Sequence, residues 1–219
     1  MSAGGYNLAK LRDGLRPFRL HWFARLRSTN DHAATLRRRG EVYAPAVVLA
    51  GSQSAGRGRG SNTWWSRAGS ITATFVLGIE EHLAPQQLAL VAGLAVRNAA
   101  AELAGSEQIQ LKWPNDVVYE GRKIAGLLCE RVERADLIGV GLNVNIDPAR
   151  APRGLLGRIS SIQQIKAQPI DMADALCAVA RHMRQMLLRR GSHPFAAIVR
   201  EYDQHHALIG REVTISNSS

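Results

Sequence analysis

Three short segments carry residues whose types and spacing could do chemistry. The first, Leu111-Lys112-Trp113-Pro114-Asn115-Asp116, sets a lysine in an apolar strand, where burying its charge is costly unless an anion accompanies it. Pro114 removes a ladder donor, so the strand must bend or become an edge there, and Asn115 and Asp116 supply turn chemistry. The plain alternative is a hairpin whose lysine snorkels to solvent. The next stretch, Gly121-Arg122-Lys123-Ile124-Ala125-Gly126, argues against it, because small residues at Ala125 and Gly126 leave room for a ligand beside the strand. The second segment is Gln53-Ser54-Ala55-Gly56-Arg57-Gly58-Arg59-Gly60. Its glycines let the backbone approach a ligand with amide N–H groups free for an anion, and its arginines add forked donors for phosphate or carboxylate. No Gly-Lys-Ser/Thr closes it as a phosphate loop, and no helix follows the glycines as a dinucleotide fingerprint requires. A solvated or RNA-touching Arg-Gly loop is the alternative. In the third, Gly139-Val140-Gly141-Leu142-Asn143-Val144-Asn145, alternating glycines mark a close approach by backbone or ligand. Asn143 and Asn145 share one face there and could bond a nucleotide or hold a metal-bound water; a glycine-tolerant turn is the competing reading. His205-His206 is adjacent rather than spaced for a metal.

The elements that must position these residues follow from periodicity. Phe18 to Phe23 reads as a strand running into Ser28-Thr29-Asn30-Asp31, four residues suited to a helix N-cap or a turn. Ala33 to Arg39 makes a short helix closed by Gly40. Ala46 to Ala50 is an apolar strand, Gly51 to Trp65 a glycine- and arginine-rich loop, and Ser70 to Ile79 a second strand. The strongest helix runs from Pro85 to Gly105, with Leu88, Val91, Ala92, Ala95, Val96, Ala99 and Leu103 at i, i+3, i+4 spacing. Ile109 to Tyr119, Lys123 to Arg131 and Leu137 to Ile146 form an antiparallel meander. Helices over Asp171 to Arg190 and Phe195 to His206 follow, and Glu212 to Ile215 is a final strand. The order predicts an α+β fold: a mixed, largely antiparallel β-sheet with helices on one face.

At 219 residues and 46% hydrophobic, the chain fits one domain with a continuous core, which excludes a disordered protein. No apolar run reaches the length of a membrane span and the start shows no apolar signal core, so no membrane partner is expected. Cys129 and Cys177 lack metal-ligand spacing, which fits a reduced, cytoplasmic protein. The formal net charge of +10 suits a polyanionic partner, yet 24 of the 28 basic residues are arginine, as compositional bias alone would give. The four lysines are Lys10, Lys112, Lys123 and Lys166, two of them in one short stretch.

Taken together and in this order, Ser28-Thr29-Asn30, Gln53 through Arg59, Lys112 to Asp116, Gly121 to Gly126 and Gly139 to Asn145 resemble the biotin protein ligases. The pairing of Lys-Trp-Pro-Asn-Asp with Gly-Arg-Lys-Ile-Ala-Gly is the most specific part. The resemblance implies the catalytic domain of a biotin/lipoate-type, class II synthetase-like fold over residues 1–209. It also implies a two-step reaction with ATP and Mg2+: biotin becomes biotinyl-5′-adenylate, then acylates a lysine of a biotin carboxyl carrier protein domain. Carried over by position, Ser28, Thr29, Asn30, Gln53, Gly58, Gly126 and Gly141 belong with biotin. Arg57, Arg59 and Lys112 serve both ligands as the catalytic charges. Trp64 and Asn143 lie on the ATP side, with Asn143 also near the magnesium.

Lys112 is then expected to reach both the biotin carboxylate and the α-phosphate, where one lost charge costs roughly 10²–10³ in rate. Three departures from the family stand out. Gly60-Ser61-Asn62-Thr63 precede Trp64, where the family usually continues with another glycine and arginine. The stretch before Ser28 is too short for a helix-turn-helix, so no DNA partner is expected. Residues 210–219 read as the start of a truncated C-terminal SH3-like barrel. A homodimer is compatible with such a fold. A lipoate or octanoate ligase sharing the fold is the alternative enzyme, and a basic RNA-binding module the alternative outside enzymes.

Overall fold

Ser70–Gly78 and Ala135–Asn143 pair along their whole length, and the rest of the sheet is laid out around them. The computed structural model describes residues 2–3, 5–79, 84–192, 194–212 and 214. In chain order, β1 (Ser2–Ala3) pairs with β2 (Tyr6–Asn7), followed by α1 (Leu8–Gly14), β3 (Arg19–Phe23), α2 (Thr29–Arg38) and β4 (Ala46–Ala50). Next come the short β5 (Gly56–Arg57) and β6 (Thr63–Trp64), then β7 (Ser70–Gly78) and α3 (Pro85–Ala104). The meander is β8 (Ile109–Lys112), β9 (Asp116–Tyr119), β10 (Arg122–Val132) and β11 (Ala135–Asn143), before α4 (Ile162–Lys166), α5 (Met172–Ser192) and α6 (Phe195–Gln204). The main sheet has the order β3-β4-β7-β11-β10-β9-β8, with β3 and β4 parallel and the other pairs antiparallel. This is the mixed, largely antiparallel sheet expected from the sequence.

Strand alternation divides the sheet into two faces. Val47 and Leu49 of β4, Ala73 and Phe75 of β7, and Ile138, Val140 and Leu142 of β11 join the large core with α1, α3 and α5. Phe75 meets Phe18 edge-on, ring centroids 5.2 Å apart. The apolar positions expected on α3 are all buried, and Gly105 closes that helix in the left-handed region at φ 65°. On the opposite face Ala46, Val48, Val76 and Leu137 pack with Ala33 and Ala34 of α2. The expectation of helices on one face therefore needs correcting for α2. Two consecutive alanines let this helix lie close on a face whose other strand positions are polar or glycine. It also starts earlier than expected, at Thr29, because Ser28 is the N-cap and its Oγ accepts from the Asp31 amide at 3.3 Å.

Other differences are local. Helix α1 is an addition to the sequence reading, and Ile109 to Tyr119 is two strands joined by a turn rather than one extended run. Of the expected final strand, Glu212 and Thr214 show no regular structure, while Val213 and Ile215 lie outside the described residues, as does much of the expected barrel segment. Among the described residues, no helix is long and apolar enough to cross a membrane. Both cysteines are free, and burial pushes the Cys129 thiol up to about 12. Phe75→Ala empties the centre of the large core and is expected to cost roughly 3–5 kcal/mol in urea unfolding. A loss below about 1 kcal/mol would mean that Phe18 and Phe75 do not anchor the sheet.

Candidate functional site

The face of the sheet beneath α2 carries an unusual set of side chains. Thr72 and Thr74 of β7, Gly139, Gly141 and Asn143 of β11, and Gly126, Leu128 and Glu130 of β10 share it, following the registers Gly126↔Gly141 and Leu128↔Gly139. The two β11 glycines are seats for other residues. A Cβ on Gly139 would overlap the Asn30 carboxamide, and one on Gly141 would overlap the Trp64 indole. Glycine is needed there because side chains from α2 and β6 lie directly on the backbone of a central strand.

The first turn of α2 brings in a connected set of polar groups. The Thr29 amide and hydroxyl both donate to Gln53 Oε1, at 2.6 and 3.1 Å. Asn30 donates through Nδ2 to the Leu128 carbonyl (3.1 Å) and to Glu130 Oε2 (2.8 Å). Below them the buried Thr74 hydroxyl lies 2.6 Å from Asn30 Oδ1 and 2.9 Å from Thr29 Oγ1. This network fixes the polarity of the cleft wall that these residues form. Gln53 has committed its oxygen to Thr29, so its amide N–H groups are what it can offer a ligand. Ser28 Oγ accepts from the helix and keeps its own proton to donate. Asn30 Oδ1 has a second lone pair. Donors and an acceptor thus line the same cleft.

The glycine- and arginine-rich loop is a small hairpin. Gly56 pairs with Trp64 and Arg57 with Thr63, and the Gly58 amide donates to the Asn62 carbonyl at 2.8 Å. Its two arginines differ. Arg57 turns inward, with Nη1 2.5 Å from Asp31 Oδ1 and Nη2 2.8 Å from Glu130 Oε1, and the Glu130 hydrogen bond is the main reason its pKa is raised. Arg59 has no ion pair among the described residues and lines the cleft.

The cleft, of about 650 Å³, contains Ser28, Thr29, Asn30, Gln53, Arg57, Gly58, Arg59, Trp64, Gly126 and Gly141, as the sequence led us to expect. Lys112 is not brought there. Ile109 and Leu111 face the large core, so strand alternation turns Lys112 the other way, exposed on the outermost strand. The lysine lining the cleft is Lys123, whose Nζ lies 2.6 Å from Asp116 Oδ1 and 5.8 Å from the Trp64 ring centre. The contact with Asp116 is a close ion pair rather than an aligned hydrogen bond.

A β-bulge aims Lys123. The register with β9 shifts between Lys123 and Ala125, and Ile124 and Ala125 both face the core. That extra residue flips the parity of Lys123 onto the face of Gly126. Asn143 also falls outside the lining: it is 2% exposed, donates to the Ser160 carbonyl at 3.1 Å, and leaves a buried Oδ1 without a partner. Asn145 clamps Ile170, donating to its carbonyl at 2.7 Å and accepting from its amide at 2.9 Å. Among the described residues no group of three or more His, Cys, Asp or Glu could hold a metal ion. Sequence reasoning missed Thr74, Glu130, Asp116 and Lys123 as site residues. Thr72 and Thr74 alternating with core residues in β7 were the available signal for the first.

Comparisons with known proteins give the family. A family model described as the Biotin/lipoate A/B protein ligase family matches residues 22–147, and the chain belongs to that family. It is 36% identical over 137 residues to the bifunctional ligase/repressor BirA of Bacillus subtilis, a match covering 59% of this chain and 42% of that protein. It is also 36% identical over 168 residues to a biotin–[acetyl-CoA-carboxylase] ligase of Mycobacterium tuberculosis, covering 67% and 62%. Its fold matches a biotin protein ligase from Aquifex aeolicus solved in complex with biotin and ATP, with a TM-score of 0.77 and 27% identity, over 86% of this chain and 78% of that one. The chain thus spans about two-fifths of the length of the first of these curated relatives.

The seating of Trp64 gives a direct test. Gly141→Ala is expected to expel the indole from β11 and raise acrylamide quenching of tryptophan emission, with no such rise when Trp64 is already Phe. Unchanged quenching would mean that Gly141 is not its seat.

Proposed function

We propose that this chain is an ATP-dependent biotin ligase that forms biotinyl-5′-adenylate and transfers biotin to a lysine of a biotin carboxyl carrier protein domain, such as that of acetyl-CoA carboxylase. The observation that carries the proposal is the fixed polarity of the cleft wall formed by Ser28, Asn30 and Gln53. A cyclic urea needs donors for its carbonyl and acceptors for its two N–H groups. Ser28 and Gln53 supply donors, and Asn30 Oδ1 supplies an acceptor. A lipoyl dithiolane or a plain acyl chain would leave these buried groups unpaired, at roughly 1–3 kcal/mol each. The likeness to a ligase solved with biotin and ATP supports the same reading.

The reaction brings a carboxylate oxygen onto an α-phosphorus and expels pyrophosphate. The carrier's lysine amine then attacks the acyl carbon of the mixed anhydride and expels AMP. Both anions repel until positive charge stands between them. We assign that charge to Lys123, held by Asp116 against Trp64 until a ligand arrives, in place of the Lys112 that the sequence favoured. Arg59, without an ion pair among the described residues, is the arginine available to phosphate. Trp64 lines the cleft on top of Gly141, and apolar surface there slows hydrolysis of the adenylate. The unpartnered Asn143 Oδ1 fits a hard cation or one of its waters, so Asn143 would hold magnesium from the protein side. Bound magnesium would neutralise the phosphates. The reduced state of both cysteines fits a cytoplasmic setting.

Biotin-dependent exchange of labelled pyrophosphate into ATP tests the proposal. Lys123→Ala is expected to lose about 10²–10³ of the exchange rate. Lys112→Ala should stay within about threefold of the parent, because its side chain lies outside the cleft. Lipoate in place of biotin should support little exchange. Near-normal exchange in a folded Lys123→Ala protein, or equal exchange with lipoate, would contradict the proposal.

A further inference from the structure

Glu130 stands outside the roles assigned so far, yet it touches both halves of the site. Its Oε2 accepts from Asn30 Nδ2 at 2.8 Å, while its Oε1 lies 2.8 Å from Arg57 Nη2. Arg57 Nη1 reaches back to Oε2 at 3.3 Å and onward to Asp31 Oδ1 at 2.5 Å. On the far side, Thr74 fixes the other end of the same Asn30 amide. These contacts form one unbroken relay from the sheet, through the polar end of the cleft, to the hairpin that carries Arg57, Arg59 and Trp64.

We propose that Glu130 is a positioning residue that ties the arginine hairpin to the polar pocket, so that Arg57 acts as the hairpin's anchor and Arg59 is the arginine free for ligand. Three features support this. A carboxylate can accept from both donors at once, which a neutral side chain at this position cannot do with the same charge complementarity. Asp31 and Glu130 place two negative charges around one guanidinium, so Arg57 is already neutralised and has little to offer a phosphate. Glu130 also shares its face of β10 with Leu128 and Gly126, rigid strand positions rather than loop positions, so the tie is to the sheet itself. The link to Asn30 means that a ligand seated against Asn30 bears on the same carboxylate that holds the hairpin. This last clause rests on the biotin reading; the tether does not.

The test uses the whole chain without ligand and with biotin and ATP. Trypsin must draw an arginine out of the structure to cut after it, so cleavage after Arg57 and Arg59 reports hairpin opening. Glu130→Gln is expected to speed cleavage at these two sites about tenfold or more, with the melting temperature little changed. Asp31→Asn, at an exposed position, should speed it as well. In pyrophosphate exchange, Glu130→Gln should raise the KM for biotin with little change in the KM for ATP. Asp31→Asn, which does not touch Asn30, should raise it less. Unchanged cleavage after Arg57 and Arg59 in Glu130→Gln would overturn the tether. Faster cleavage with an unaltered KM for biotin would overturn its link to the pocket. If the parent shows no biotin-dependent exchange while cleavage still responds to both variants, the tether stands and the biotin reading fails.

Discussion

Two side chains lie directly on the backbone of β11, and the cleft depends on that approach. Asn30 sits against Gly139 and Trp64 against Gly141, on a strand paired along its length to β7 on one side and over most of it to β10 on the other. A central strand is the least movable part of a sheet, because both its ladders must break before it shifts. Side chains seated on it inherit that rigidity. Asn30 fixes Glu130, Glu130 holds Arg57, and Trp64 lies beside Lys123. Rigid seating of this kind is what an electrostatically organised site needs, since donors and charges must be in place before the reaction.

The charges are arranged by the same logic. Each cation near the cleft has a different degree of compensation. Arg57 is held by two carboxylates, Lys123 by one, and Arg59 by none among the described residues. An incoming anion competes with Asp116 for Lys123 and meets no competitor at Arg59. The neutral Gly60, Ser61 and Asn62 at the tip of the hairpin, with Thr63 after them, concentrate the positive charge on these few side chains. The large core on the other face is mainly apolar, and its buried Arg97 is committed to the Ile109 carbonyl and Glu107, so the cleft chemistry lies on the α2 side.

Much of this was legible in the sequence, and the misreadings have specific causes. The apolar stripe of α3, the strand at Ala46–Ala50 and the meander followed from local periodicity. Alternating Gly139 and Gly141 correctly signalled a close approach, but the groups that approach come from distant parts of the chain and leave no local trace. Ser28 is the cap that its residue type suggests, but the helix already begins at Thr29, ahead of the apolar pattern that starts only at Ala33. Lys112 drew attention as a lysine in an apolar strand. Yet Ile109 and Leu111 already imply that it faces away from the core. Lys123 lies in the same sequence motif, where simple alternation would set it on the core face with Ala125. The bulge at Ile124 reverses that parity, and a bulge is a property of strand pairing rather than of residue types.

The proposed reaction joins a ureido-ring acid to AMP in the cleft beneath α2. Incubating the purified chain with biotin, ATP and magnesium, then analysing the protein-bound small molecules by mass spectrometry, tests it most directly. The expected result is biotinyl-5′-adenylate at close to one per chain, with no lipoyl adenylate when lipoate is supplied instead. An adenylate formed from lipoate and not from biotin would contradict the account, as would nucleotide recovered only as unreacted ATP.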